Sequence, residues 1–548
     1  MSLPVFNPQA HLFGLQAVSH EVFDTGDRYR LFAEKIYPLL VQARPRLEQC
    51  YCEGNGRAAI EPVLLLGVSL LQFLERAPDR QAAERVKYHI GWKFGLNEEL
   101  KSEEFHPTAL VRFRERLMAH EQGRLAFEVV LGGLRQAGLV PKKAKQRLDS
   151  THVLGLVSRM SSLECVRESL RLALEELEKV VGEEQRPEFW GLLWERYVES
   201  QLDYKTAEEG LRTKMRQAGQ DILQLEGWVK ELGEEVQQGA QVQLLHRVFQ
   251  ERFRVADSGQ VEVIEITPSG AVHNPHDAEA QWSAKGHGKQ KKDWVGYKLQ
   301  VAETVGEPVQ QNGEPTKQFI TAVVTQPATH SDEAGMEQVF EEQNQMGLDK
   351  PSELYVDGAY VSAQELAKAK AEGWELMGPA QPSGPRKNGF CAEAFGVEVE
   401  QRRAVCPAGQ PSTQCSRLEE EKTGRVSYRF EWSWQCRDCG LREQCLGPGQ
   451  SHRTLVVGQN HTVLQARRQE MKTETFQQRM KQRNGIEATH SELVRAHGIR
   501  RARYRGLKKV ALQNYFIGAA CNVKRWINLM RWEIQKIAAG VKCVPQIS

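Results

Sequence analysis

Three acidic residues stand where carboxylates can do chemistry. Asp149 lies within RLDSTHVLGLV, Asp357 within ELYVDGAY and Glu487 within RNGIEATHSELVRAH. The first segment reads as a strand, the second as a strand ending at its Asp, and the third as a helix. In open α/β sheets, functional groups gather beyond the carboxyl ends of strands. Carboxylates brought together there repel one another unless a cation joins them. Hard oxygen ligands in an incomplete shell suit Mg2+, which keeps waters and accepts phosphate oxygens. Two such ions, roughly 3.5–4 Å apart, activate the attacking oxygen and stabilise the leaving oxygen of a phosphodiester. A lone Asp at a strand end is more often a turn or helix cap, so the reading rests on all three. His152 near Asp149 and His490 near Glu487 are candidates for proton transfer, although a His in such a place more often packs.

A basic stretch begins beside Glu487. Residues 493–532 contain no Asp or Glu but hold Arg495, Arg500, Arg501, Arg503, Arg505, Lys508, Lys509, Lys524, Arg525 and Arg531. Tyr504, Tyr515, Phe516 and Trp526 are interleaved. Basic residues neutralise phosphates, and aromatics can stack on unpaired bases near a cleaved end. A solvated helix with a core stripe explains Leu507, Val510, Leu512 and Phe516 but not forty residues without an acid. Lys142, Lys143 and Lys145, and the cluster from Lys285 to Lys292, are weaker candidates for DNA contact. Four cysteines form a further set: Cys406 in C-P-A-G, then Cys436, Cys439 and Cys445 in C-R-D-C-G-L-R-E-Q-C. One C-x-x-C with two further Cys is compatible with a structural tetrahedral zinc site, with Cys415 or Cys391 as alternative fourth ligands.

These groups need positioning elements. Residues 20–140 read as helical, with Leu31, Ile36, Leu39, Leu40 and Val41 at helical spacing and Pro62 at a first turn. In PTALVRFRERLMAH, Leu110, Phe113 and Leu117 share one face, leaving Arg112, Arg114 and Arg116 on a solvated one. After the Asp149 strand, residues 160–252 return to helix. Leu163, Val166, Leu170, Ala173, Leu177 and Val180 form a stripe shorter than three heptads, so a helical hairpin packed on itself is expected. From about residue 253 the period becomes two: VEVIEI, WVGYKLQVAE and FITAVVT predict strands. HSDE then caps a helix, SAQELAKAKAEG predicts another closed by Gly373, and WELMGP a further strand. Strands followed by alternating helix and strand indicate an α/β core with a mixed sheet.

With 548 residues the chain is long enough for several domains, and 40% hydrophobic with 26% charged residues excludes a disordered chain. No apolar run is long enough to span a bilayer, and MSLPVFNPQAH lacks the features of a signal peptide. Eleven Cys at this length do not make a secreted disulfide framework. A cytoplasmic protein without membrane contact is expected. The net charge of +2 conceals a cancellation. Residues 164–252 hold 19 acidic and 12 basic residues, a local charge of −7, which offsets the acid-free stretch.

RLDSTHV, ELYVDGAY and RNGIEATHSELVRAHGIRRARYRGLKKV, in that order, resemble the three catalytic blocks of bacterial insertion-sequence DDE transposases. YCEGNGRAAIEPVLLL, FHPTALVRFRERL, HDAEAQWSAKGHGKQKKDWVGYKLQVAET and PATHSDEAGM also resemble the branch with an all-helical N-terminal domain and a ribonuclease-H-like core. The resemblance implies that Asp149, Asp357 and Glu487 are catalytic and hold two Mg2+ (or Mn2+) ions, and that Arg483 is the arginine preceding the glutamate. The family's downstream lysine is replaced by Val494, next to Arg495, and its tyrosine before Arg483 by Met480.

The organisation expected is an all-helical DNA-binding domain over 1–145 and an α/β ribonuclease-H-like core over 146–380, interrupted by the helical insertion at about 160–252. A Cys-rich insertion over 381–480 and a glutamate helix with basic DNA-binding region over 481–548 complete it. The expected partners are double-stranded DNA, as terminal inverted repeats and target, and a second copy of the chain. Association with the nucleoid follows when DNA is bound. The expected activity is cleavage at element ends followed by strand transfer. It needs no nucleotide, and no P-loop is present. A metal-dependent nuclease that cuts without joining, and an inert DNA-binding derivative, are the rivals.

Overall fold

The computed structural model describes residue 3 and residues 19–52, 58–101, 104–200, 208–286, 291–306, 314–315, 317–382, 390–421 and 424–539. The chain before the first strand is helical. Pro62–Leu74 opens on its proline, is capped by the Glu61 carboxylate at the Val63 amide, and is buried nearly all round. Around it pack Thr108–Ala119, Leu125–Gln136 and the last helix, Leu507–Ala538, which share one core with it. The arginine face expected on Thr108–Ala119 is not simply solvated. Arg114 is buried and forms an ion pair with Asp79 at 2.5 Å, and Arg116 lies over the Tyr51 ring.

A six-stranded mixed sheet follows. Its first strand, β1 (Gln146–Leu154), is succeeded by a helical excursion of Ser162–Val180, Glu208–Glu231 and Ala240–Arg252. Ser161 and Glu164 form a reciprocal capping box on the first of these helices. Leu163, Val166, Leu170, Ala173 and Leu177 are buried in the excursion's own core, as a hairpin packed on itself requires, while Val180 is exposed. A short hairpin, β2 (Phe253–Val255) with β3 (Val261–Val263), closes the excursion. This is less strand than VEVIEI suggested.

The chain then returns to the sheet with β4 (Gln281–Lys285), β5 (Lys292–Thr304), β6 (Ile320–Pro327), β7 (Glu353–Tyr355) and β8 (Glu375–Met377). β5 runs antiparallel to β1 on one side. On the other its first half pairs with β4 and its second half with β6, both antiparallel. β7 is parallel to β1, and β8 is parallel to β7. Gly296 in β5 is needed by this pairing, because a Cβ there would stand 2.1 Å from the Val153 carbonyl oxygen. Asp332–Gln345, capped by Ser331, and Ala363–Ala371, capped by Ser362, are the helices that the capping signals predicted, with Gly373 at φ +75° after the second.

The Cys-rich region contains strands that its polar composition hid. β9 (Gly396–Glu398) pairs with β10 (Arg403–Val405), and β11 (Gln414–Glu419), β12 (Val426–Trp432) and β13 (Arg453–Gly458) form a three-stranded sheet. Their small core contains Phe395, Val397, Phe430, Trp432 and Leu455. Among the described residues no helix is long and apolar enough to cross a membrane.

Candidate functional site

Strand register sets the two aspartates side by side. β1 and β7 pair in parallel, Gln146 with Leu354 and Arg147 with Tyr355. Two residues further along each chain stand Asp149 and Asp357. Asp149 is within β1, opposite Val301 of β5, and only 7% exposed. Asp357 lies just past the end of β7, where its carboxylate accepts from the Ala359 amide at 2.8 Å and caps a short turn. The capping role that a strand-end Asp commonly plays is thus real here, and it leaves the second carboxylate oxygen available.

The turn leading into the Glu487 helix brings a cation to both acids. Arg483, in Lys481–Asn484, places one Nη2 3.5 Å from Asp149 Oδ2 and 3.9 Å from Asp357 Oδ2. The Arg483 Nε is buried without a hydrogen-bond partner. Glu487 sits in the first turn of Gly485–Arg495 and is exposed. His490, one turn on and mostly buried, has its Nε2 3.7 Å from Asp149 Oδ2. Glu487 is therefore bracketed on its own segment by two residues that both reach Asp149. Residues three and four apart share a helix face, so Glu487 and His490 lie on one side of it.

The electrostatics follow from burial. Burial pushes the Asp149 carboxyl up to about 6, Arg483 opposes the shift, and Asp357 adds to it. Burial holds the His490 imidazole down at about 4, although Glu303 and Glu487 pull the other way. Neither His490 nitrogen has a hydrogen-bond partner. His152 does not share this site. Its ring packs against Trp294 and its nitrogens face Arg500 Nη1 at 2.9 and 3.0 Å; burial and then Arg500 lower its pKa to about 4.

A buried charge network ties these elements together, and the sequence reading missed it. Arg147 and Glu303 are cross-strand partners in β1 and β5 and form an ion pair at 2.6 Å, with Glu303 0% exposed. Arg147 also donates to the Gln318 side chain at 2.6 Å and to the Gln482 carbonyl at 2.9 Å. Glu303 accepts from Thr489 Oγ1 at 2.6 Å and from Arg525 Nη1 at 2.9 Å. Gly485 is required by this packing, because a Cβ there would fall 1.9 Å from Arg147 Nη1. The Arg483 turn, the Glu487 helix and the last helix are thus held to β1 and β5 through one carboxylate. On the far side, Arg479 bonds Glu353 and Glu375, and Phe476 packs on Tyr355 and Met377.

The basic stretch divides in two. Arg495, Arg501, Arg505, Lys508 and Lys509 are exposed. Arg500 is committed to Thr151 and His152, and Arg503 to the Ala77 carbonyl and the Phe73 ring. Lys524 and Arg525 pair with Glu492. The interleaved aromatics do not form a base-stacking surface, which corrects that expectation. Phe516 and Trp526 are buried, Tyr515 donates to Glu342, and Tyr504 lies under Arg114. Instead Trp282 and Trp294, with Arg159 and Arg501, line an open cavity of about 500 Å³ beyond the end of β1.

Lys142 and Lys145 pair with Asp349 and Glu353, and Lys285 is exposed. Lys289 lies outside the described residues. Cys406, Cys436, Cys439 and Cys445 line one small cavity; Cys391 and Cys415 do not line it.

Two family models match the chain. Residues 18–116 match a family described as a transposase domain, and residues 405–527 match one described as a transposase DDE domain. The second stretch contains the Cys cluster, Arg483, Glu487 and most of the last helix, whereas Asp149 and Asp357 lie between the two. No curated protein matches the chain. Transposase-family models thus match on both sides of a sheet whose two aspartates meet the arginine before the glutamate, which supports an insertion-sequence DDE transposase.

Proposed function

We propose that this transposase binds the terminal inverted repeats of its element, cleaves the DNA at the element ends and joins the freed 3′-hydroxyl to target DNA. Both steps are in-line phosphoryl transfers, so one constellation serves both. The observation that carries this reading is the convergence of Asp149 and Asp357 on the Arg483 guanidinium, in the turn that leads to Glu487. The strand order β6-β5-β1-β7-β8, antiparallel across the first three and parallel across the last three, supports a ribonuclease-H-like core.

Asp149, Asp357 and Glu487 would hold two Mg2+ or Mn2+ ions, and the oxygen-rich donor set suits such hard cations. A cationic nitrogen already lies within 4 Å of both aspartates, so positive charge is accommodated between them. When bound, the ions supply activation of the attacking oxygen and neutralise charge at the leaving one. Arg483 keeps two like-charged carboxylates adjacent, and its planar fork is suited to a phosphate oxygen as well. His490 stays neutral at working pH and fills the wall beside Asp149. Arg495, Arg501, Arg505, Lys508 and Lys509 are placed to neutralise phosphates. Arg500 and Arg503 shape the loop that presents them.

Transposition requires two ends in one assembly, so a homodimer on DNA is part of the proposal. A joining assay tests it, using precut inverted-repeat ends, Mg2+ and a target plasmid. Joined product is expected. Cleavage of uncut ends without joining would reduce the protein to a nuclease, and end binding with neither would leave an inert module.

A further inference from the structure

The Cys-rich module, residues 390–458, has a core of few side chains, and small modules of this kind commonly need a staple. Four thiols surround one place in it. Cys406 follows β10 in a tight turn, in which the Gly409 amide donates to the Cys406 carbonyl and Gly409 has φ +76°. Cys436 ends a short turn at Trp434–Cys436, Cys439 follows three residues on, and Cys445 ends Arg442–Cys445.

All four line a small cavity of about 20 Å³ together with Phe390, Trp432 and Leu446. That is room for one ion or water. The second turn is braced by Arg442, which donates to the Cys436 carbonyl at 2.6 Å, and the first by the Cys406 amide, which donates to the Gln410 carbonyl at 2.9 Å. Arg453 links the module's two ends by donating to the Phe390 and Cys445 carbonyls.

We infer that Cys406, Cys436, Cys439 and Cys445 form a tetrahedral Zn2+ site that clamps the β9–β10 hairpin to the end of the three-stranded sheet. The chemistry favours zinc, since four soft thiolates select it over hard cations. Among the described residues, the one trio of ligand atoms within 4.8 Å of each other is elsewhere, at Glu492, His497 and Cys521. There Lys524 and Arg525 already neutralise the carboxylate. The four thiols are therefore more open than a filled site. An ion would draw their sulfurs to about 3.8 Å apart, given zinc–sulfur bonds of about 2.3 Å. The site is separate from the acids of the sheet, so it stands or falls independently of the catalytic reading.

The test uses the full chain expressed with zinc supplied. Elemental analysis should give about one zinc per chain, and Co2+ exchange should give the intense thiolate charge-transfer band of a four-sulfur site. Cys391→Ser and Cys415→Ser should keep the metal, as should Asp149→Asn/Asp357→Asn. Cys436→Ser/Cys439→Ser should lose it. A mercurial titration of the wild-type chain, which needs no variant to fold, should release zinc in step with modification of about four thiols. Folded, zinc-free wild-type protein would overturn the inference. So would zinc retained by the Cys436→Ser/Cys439→Ser variant, or zinc lost on substituting Cys415 alone.

Discussion

Substitution of Glu303 by Gln probes how the glutamate helix is held. Glu303 is fully buried and accepts from Arg147, Thr489 and Arg525 at 2.6, 2.6 and 2.9 Å. Gln keeps the shape but removes the countercharge of two guanidinium groups. Breaking a buried pair by removing one partner costs about 3–5 kcal/mol. Arg525 keeps Glu492 and the Gln318 carbonyl, and Arg147 keeps Gln318 and Gln482, which puts the expected cost at the lower end. A loss of about 3 kcal/mol against local opening corresponds to exchange roughly 100-fold faster. Hydrogen exchange of peptides covering 485–495 reads this directly, with Ser162–Val180 as an internal control because it belongs to a separate core. The expected outcome is much faster exchange over 485–495, an unchanged control and slower cleavage. Exchange within twofold of wild type at 485–495, or equal acceleration in the control helix, would refute the claim that Glu303 is a local clamp.

Other outcomes follow from the same structure. Glu342 is buried against Tyr515 and its pKa is pushed up to about 7, mainly by burial. A raised folded-state value stabilises the fold fully below the unfolded pKa, and that contribution is lost as pH rises through about 7. Glu342→Gln should therefore raise the melting temperature at pH 8, by up to about 3 kcal/mol in stability, with little effect at pH 4; melting curves at both pH values check it. Lys508→Ala/Lys509→Ala should weaken end binding and lower the slope of log affinity against log salt by roughly 2, read from a salt titration. An unchanged slope would remove both residues from the DNA contact. Ser161→Ala breaks the capping box and should cost about 1 kcal/mol, seen as faster exchange at the start of Ser162–Val180 alone.

Much of the candidate site could be proposed from the sequence because its signals are local. A β-branched run around Asp149 and an Asp at a strand end are properties of short segments, and Arg483 came from the resemblance of another short block. The capping sequence HSDE at the start of Asp332–Gln345 and the Gly373 stop after Ala363–Ala371 were readable for the same reason. The clamp was not, because it depends on register. Arg147 and Glu303 are remote in sequence and meet only through the β1–β5 pairing. Arg147 near the start of β1 and Glu303 near the end of β5 were the available trace of it.

The last helix misled for a related reason. The absence of acids from 493 to 532 suggested a DNA surface along most of it, yet it packs against both the N-terminal helices and β6. Phe516, Trp526 and their neighbours are spent on that core. Charge composition shows which partner a segment can face, and burial decides which residues do. The cancellation between the acidic excursion and the basic stretch survives this correction, carried by a shorter set of exposed cations around 495–509.

The central claim is that Asp149, Asp357 and Glu487 act as one catalytic set. The most direct measurement is cleavage and end binding in parallel for Asp149→Ala, Asp357→Ala and Glu487→Gln, on inverted-repeat DNA in Mg2+. The account predicts that each variant binds ends as wild type does and cleaves none. A variant that binds and still cleaves near the wild-type rate would contradict it.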